Sequence, residues 1–181
     1  MAVRVVGGSL GGRVLNGPPR SGVRPTADRV REALFEVLSA RGTPMQRVLD
    51  LYSGTGALGI EAMSRGADFC DFVESDPKAC EVIRQNLALT GLQERTKLWQ
   101  MPVGKALARL SGPYDLVVAD PPYEYDRAKK ELAALVERGL LAPGGTLVVE
   151  HSQRDAWPDE LAGRSQVTSR RYGDTRTTFY A

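Results

Sequence analysis

Histidine is nearly missing from this chain: His151 is the only one in 181 residues. A His-based catalytic triad or a His-rich metal centre would have to rest on it alone, and we read it as the residue that ends a strand. Cysteine is almost as scarce. Cys70 and Cys80 lie in apolar segments with no C-x-x-C spacing. That argues against a disulfide framework or a zinc ribbon and for two reduced, buried thiols in a cytoplasmic protein. No metal is expected. Apolar runs extend over a few residues only, too short to cross a bilayer, and Met1-Ala2-Val3-Arg4 does not open a signal peptide. A membrane partner is therefore not expected. Longer repeats and low-complexity segments are absent as well. What remains is an ordinary globular composition, 42% apolar and 25% charged with a net charge of +2. The length fits one compact core with an appendage, at about 150 residues per domain.

The most informative segment present is Asp120-Pro121-Pro122-Tyr123, directly after the apolar run Leu116-Val117-Val118-Ala119. Both prolines lack an N–H and fix φ near −65°, so a strand ending here forms a stiff tip that cannot continue as sheet. The tip offers a carboxylate, carbonyl oxygens and an aromatic ring. A planar exocyclic amine, with two N–H donors and a π-face, is a matching ligand. Asp120, Pro121, Pro122 and Tyr123 are accordingly the candidate catalytic residues.

A glycine loop stands upstream. Asp50-Leu51-Tyr52-Ser53-Gly54-Thr55-Gly56-Ala57-Leu58-Gly59 follows the strand-like Arg47-Val48-Leu49 and precedes a helical pattern from Ala57 to Arg65. G-x-G-x-x-G in that context lets the backbone turn tightly and approach a ligand closely. The next strand, Phe69 to Val73, ends in Glu74-Ser75-Asp76, and an acid at this tip is the usual partner of ribose hydroxyls. The unit binds a nucleoside. NAD would place its pyrophosphate at the helix N-terminus, but a carboxylate at Asp50 on the rim would repel it. S-adenosylmethionine has no phosphate and carries an ammonium and a sulfonium, so it suits an acidic rim better. The candidate cofactor residues are Asp50, Tyr52, Ser53, Gly54, Gly56, Glu74 and Ser75, with Met101 and Pro102 at a third strand tip beside the adenine. An NAD-dependent oxidoreductase is the alternative from a different class.

The rest of the chain alternates. Pro77 follows the cap Asp76 and opens a helix through Leu89 that Gly91 closes. Lys97 to Met101 is a strand, Val103 to Leu110 helical, Tyr114 to Ala119 a strand, and Ala128 to Arg138 a helix. Pro143-Gly144-Gly145 turns into a strand from Thr146 to Glu150. Ser165 to Tyr172 and Thr175 to Tyr180 then read as a hairpin around Gly173-Asp174. The expected fold is α/β: a Rossmann-like class I methyltransferase with a mostly parallel seven-stranded sheet, a C-terminal antiparallel hairpin and a small N-terminal β-hairpin extension. Residues 1–25 form that hairpin and an arginine-rich arm, and residues 26–181 the S-adenosylmethionine-dependent domain. A helix begins near Thr26 or Asp28, both good N-caps.

Charge is unevenly distributed. Residues 1–31 hold Arg4, Arg13, Arg20, Arg24, Arg29 and Arg31 against Asp28 alone, a local balance of +5 within a chain of net +2. Arginine binds phosphate bidentately and stacks on bases. These six are the candidate RNA-binding residues, with Arg29 and Arg31 off the apolar stripe of their helix.

Taken together, Arg4-Val5-Val6-Gly7-Gly8, Arg24-Pro25-Thr26 with Asp28-Arg29-Val30-Arg31-Glu32, Asp50-Leu51-Tyr52-Ser53-Gly54-Thr55-Gly56, Asp120-Pro121-Pro122-Tyr123 and Tyr172-Gly173-Asp174-Thr175 resemble the bacterial small-subunit ribosomal RNA guanine-N2 methyltransferases. The resemblance spans the whole chain, and the arginine-rich N-terminal block is its specific part. Tyr52 and Ser53 stand where many relatives carry Phe and Ala, and the third strand tip lacks the acid that related enzymes often use near adenine. The resemblance implies S-adenosylmethionine, yielding S-adenosylhomocysteine, and methylation of a guanine N2 in 16S ribosomal RNA presented in a small-subunit ribonucleoprotein particle. We expect a monomer. An adenine-N6 nucleic-acid methyltransferase is the alternative within the same chemistry.

Overall fold

The structure, a computed structural model, describes residues 2–19, 27–123 and 125–181. It opens on a two-stranded antiparallel ladder, β1 (Val3–Arg4) with β2 (Val14–Leu15), joined by the glycine-rich turn. The apolar side of this ladder is core. Val3, Val5 and Leu15 are buried in the cluster that holds Leu34, Phe35 and Leu38 of helix α1 (Asp28–Ala40). The predicted cap is not used: Ala27 stands at the N-cap without a side-chain bond, and Asp28 is already helical. Its carboxylate is taken by Arg31 at 2.6 Å. Thr26 lies outside the described residues.

Alternating strands and helices follow: β3 (Arg47–Leu51), α2 (Ala57–Ser64), β4 (Phe69–Glu74), α3 (Pro77–Thr90), β5 (Thr96–Gln100), α4 (Val103–Ala106), β6 (Tyr114–Ala119), α5 (Arg127–Glu137) and β7 (Leu141–Ser152). The chain ends on β8 (Glu160–Leu161), β9 (Arg164–Tyr172) and β10 (Thr175–Tyr180). Asp76 caps α3 by accepting the Lys78 N–H at 3.0 Å, and Gly91 closes it at φ 70°. Both follow from the sequence signals.

One sheet runs in the order β5-β4-β3-β6-β7-β10-β9-β8. Ladders from β5 to β7 are parallel, and those of β10 with β7 and β9 antiparallel. The seven expected strands are all present. A two-residue eighth, β8, lengthens the β9 edge, too short to leave a periodic signal. Helix α4 is one turn, shorter than its pattern suggested. β7 starts five residues earlier than expected. Tyr114 pairs with Leu141, the register then slips, and Leu116 pairs with Thr146, so Pro143-Gly144-Gly145 sits in an irregularity inside the strand. Arg164 secures it through the carbonyls of Leu141, Ala142 and Gly145.

Apolar clusters cover both sheet faces. α1, α2 and α3 pack on one with Phe72, Val118 and Phe179. α4 and α5 pack on the other with Leu49, Val117 and Tyr180. Sheets buried on both sides read as continuous apolar runs, which is why the strands were legible. β3 has neighbours reached in opposite directions, β4 and β6, so the order reverses there. In such a sheet the crevice outside the carboxyl ends of the strands at the reversal is where ligands bind.

Candidate active site

The tips of β3, β4 and β5 form one half of that crevice. The glycines of the loop serve three separate purposes. Gly54 has φ +56° and a Cβ built on it would stand in open space, so the backbone there forms a cradle open to a ligand. Gly56 caps α2 at φ +79°. Gly59 serves packing and not the ligand. A Cβ on it would lie 2.4 Å from the Phe72 ring, so it is the residue that lets α2 approach the sheet.

Glu74, at the tip of β4, is the organiser. Its Oε2 accepts the Gly54 N–H at 2.8 Å, and its Oε1 accepts those of Ser75 at 2.8 Å and Asp76 at 2.9 Å. About one of a carboxylate's roughly four lone-pair sites is left for a ligand hydroxyl. The Met101 N–H donates to the Glu74 carbonyl at 3.0 Å, which brings the β5 tip, Met101 and Pro102, beside it. Gly54, Glu74, Ser75, Met101 and Pro102 are thus gathered at one edge.

Asp50 and Ser53 are placed differently from the sequence expectation. Asp50 is buried, not on the rim; its Oδ2 accepts the Gly59 N–H at 2.9 Å, deep under the loop. Burial first, and the charge of Glu74 after it, push its carboxyl well above the usual carboxylate range, against the Gly59 bond that lowers it. The Ser53 hydroxyl donates to the Asp50 carbonyl at 2.7 Å and accepts the Val73 N–H at 3.1 Å, so it pins the loop to β4 from below. A strand-end acid and a loop serine look the same in sequence whether they face in or out; the turn geometry decides.

Tyr52 is one of two non-glycine residues with positive φ among the described residues, at +55°. Backbone of this kind is held only where its surroundings over-determine it. Here the hold is Glu131 on α5, which accepts the Tyr52 hydroxyl at Oε2 (2.6 Å) and the Tyr125 hydroxyl at Oε1 (3.1 Å). The two rings meet edge-on with centroids 6.0 Å apart. Burial and the neighbouring carboxylate drive both phenols above their ordinary range. Sequence reasoning missed Glu131 and Tyr125. The only signal was Tyr125 two residues beyond the proline tip.

That tip forms the other half of the crevice. Asp120 sits at the end of β6, and its N–H lies 3.4 Å from the carbonyl of Leu51 on β3, so the acid adjoins the glycine loop. Pro121 is buried and Pro122 exposed. Tyr123 is 59% exposed, its hydroxyl 3.4 Å from Thr175 of β10. Behind them lies a pocket of about 20 Å³ lined by Pro121, Tyr123, Tyr125, His151 and Trp157. It is too small for a purine. His151 is the penultimate residue of β7, at the strand end as expected. Its Nε2 is 2.8 Å from the Thr178 hydroxyl and its Nδ1 2.9 Å from the Ser152 carbonyl.

The arginines divide. Arg4 and Arg13 are exposed, each holding one backbone carbonyl, those of Gly12 and Leu89. Arg29 is exposed on α1. Arg31 is not available to RNA: it is 1% exposed, and its guanidinium is bound to Asp28 and the Arg4 carbonyl. The turn of α1 that carries it faces β1. Arg20 and Arg24 lie outside the described residues. Among the described residues no group of three or more His, Cys, Asp or Glu could hold a metal ion, and no helix is long and apolar enough to cross a membrane.

A nucleoside cradle at the end of β3 and an acid-Pro-Pro-Tyr tip at the end of β6, on this strand order, define a class I methyltransferase that uses S-adenosylmethionine. Residues 3–181 match the family described as conserved hypothetical protein 95, and the chain belongs to it. It is 33% identical to the ribosomal RNA small subunit methyltransferase D of Escherichia coli K12 over 156 residues, 86% of this chain and 78% of that protein. Bacillus subtilis YlbH, assigned as an rRNA methyltransferase, is 32% identical across 98% of both chains. The solved Escherichia coli structure of yhhF, assigned as a methyltransferase, superposes with a TM-score of 0.86 at 31% identity, covering 99% of this chain and 97% of that one.

Proposed function

We propose that this protein methylates the exocyclic N2 amine of a guanine in 16S ribosomal RNA, presented in a small-subunit particle. The observation that carries the amine chemistry is the contact between Asp120 and Leu51, which sets the proline tip against the cofactor loop. Relatives named as ribosomal RNA small subunit methyltransferases support the RNA class.

When bound, S-adenosylmethionine supplies an electrophilic methyl group on a sulfonium. The Gly54 backbone and Glu74 hold the nucleoside portion, and the acid of Glu74 at the cradle's edge favours a cationic ligand. A guanine N2 lone pair is delocalised into the ring, so the amine is a poor nucleophile until the nitrogen pyramidalises. Asp120 and the Pro121 carbonyl accept its two N–H groups and favour that geometry. Tyr123 stacks on the base once it has left its neighbours. Orientation of this kind can lower a barrier by roughly 7–11 kcal/mol. Asp120 need not be a strong base, because the methylated amine is acidic and loses its proton late.

Purified protein, S-adenosylmethionine and undermethylated small subunits, followed by digestion to nucleosides and mass spectrometry, test the reading. N2-methylguanosine is expected. N6-methyladenosine would give the adenine alternative, and an unmethylated product would remove both.

A further inference from the structure

The half of the sheet away from the cofactor cradle carries a cationic row at the same edge as Asp120. Because β10 runs antiparallel to β7, its first residues lie beside the last residues of β7. Arg176 is the register partner of His151 on β7 and of Arg171 on β9. Residues in register project to one face, so His151, Arg176 and Arg171 form a single cross-strand row. Like charges directly opposite one another in a ladder are destabilising. Neither arginine has an ion-pair partner among the described residues. Arg176 donates to the Ser169 hydroxyl at 3.1 Å and Arg171 to the Gly173 carbonyl at 3.0 Å. Each guanidinium has five donors, so most of both forks is open to an anion.

Arg176 lines a groove of about 280 Å³ together with Gln153, Trp157, Gln166, Ser169 and Thr178. The groove adjoins the small pocket behind the proline tip, with His151, Asp155 and Trp157 lining both. Two acids share the lining: Asp155 is held by Lys129 at 2.8 Å and by the Trp157 N–H at 3.0 Å, and Asp159 stands in the same wall as Arg176. The other arginines of β9 are placed elsewhere. Arg164 secures the β7 irregularity, and Arg170, partner of Thr177, projects to the opposite face.

We propose that this groove is a second RNA subsite, which holds the nucleotide next to the target guanine with its phosphodiester on Arg176, while Arg171, on the adjoining strand and outside the groove lining, takes the next phosphate along the chain. A base drawn into the pocket behind Pro121 keeps its chain neighbours within one nucleotide of the pocket mouth, and the groove is the polar surface that adjoins it, with Arg176 as its cation. Gln153, Gln166 and Ser169 offer hydrogen bonds to sugar and base edges. The subsite rests on the RNA methylation reading.

The test is the full-length double variant Arg171→Gln/Arg176→Gln, assayed on small-subunit particles beside wild type and Asp120→Ala. The expected result is a KM for the particle raised by about tenfold or more, with kcat at saturation, S-adenosylmethionine affinity and melting temperature close to wild type. The slope of log affinity against log salt should become shallower by roughly 1.4–1.8, two phosphate contacts at about 0.7–0.9 each. An unchanged KM and slope would overturn the subsite. So would a melting temperature lowered by many degrees, which would make the pair structural. Wild type that methylates the particle while Asp120→Ala binds it without turnover keeps the methylation reading intact in either case. Wild type that leaves the RNA unmethylated removes that reading, and the subsite with it.

Discussion

The Tyr52 hydroxyl donates to Glu131 Oε2 at 2.6 Å, across 79 positions of sequence. This bond joins the cofactor loop to α5, and through Tyr125 the same carboxylate reaches the segment just after the proline tip. Glu131 therefore ties the two halves of the crevice to one another.

Glu131→Ala should raise the KM for both S-adenosylmethionine and RNA while the protein stays folded. A hydrogen bond to a charged group contributes about 1.5–3 kcal/mol. Combined with Tyr52→Phe in a double-mutant cycle on kcat/KM, the pair should couple by about 1 kcal/mol or more. Strictly additive effects would show that the two residues act separately.

Glu74→Ala removes the acceptor of three backbone N–H groups and, on the proposed reading, of a cofactor hydroxyl. Affinity for S-adenosylmethionine should fall by roughly ten- to a hundredfold, the equivalent of one charge-assisted bond, with a lower melting temperature because the Gly54 cradle loosens. Calorimetry showing wild-type affinity would mean that the acid at the β4 tip serves the loop alone.

Asp120→Ala should lower kcat by on the order of 10²–10³, the effect of losing one pre-placed polar contact, with cofactor affinity little changed. Tyr123→Ala should raise the KM for RNA through lost stacking of about 1–3 kcal/mol, and Tyr123→Phe should behave as wild type. A Phe variant as impaired as the Ala variant would assign the role to the hydroxyl.

Arg29 and Arg31, two positions apart, should respond in opposite ways. Arg31→Ala leaves the Arg4 carbonyl without its buried donor and should destabilise by on the order of 2 kcal/mol, read by denaturant unfolding. Arg29→Ala should leave stability within about 0.5 kcal/mol and weaken RNA binding alone.

His151 makes stability depend on pH. Burial holds its imidazole below the ordinary value of 6.5, outweighing Asp155. The unfolded chain then binds a proton that the folded one refuses, so the His151 contribution is complete above about pH 6.5 and is lost as pH falls from there towards the folded value, by at most about 1.4 kcal/mol per unit. His151→Gln, which can still bond Thr178, should flatten the melting-temperature profile between pH 7 and 5. Superimposable profiles would assign the dependence to another group.

Element order, the mostly parallel sheet and the positions of the two candidate strand tips were legible because each leaves a local mark: apolar runs bounded by glycine, an N1 proline after an aspartate, an acid before two prolines. Strand order was not, because alternation makes the strands parallel without saying which lies beside which. The irregularity in β7 was not legible, because Pro143-Gly144-Gly145 has the composition of a turn and only the neighbouring β6 keeps both sides of it in the sheet.

The sequence by itself determined which residues stand at strand ends, since propensity and periodicity act over a few neighbours. Which way their side chains face was left to the tertiary structure. Asp50 and Glu74 are both acids at strand tips, yet α2 draws one under the loop and leaves the other at its edge. Arg31 belonged to a basic run in sequence and became core when β1 closed over it. Glu131, and the row of His151, Arg176 and Arg171, exist only as contacts between distant segments. A burial or a long-range bond is fixed by what packs opposite, and no local pattern records that.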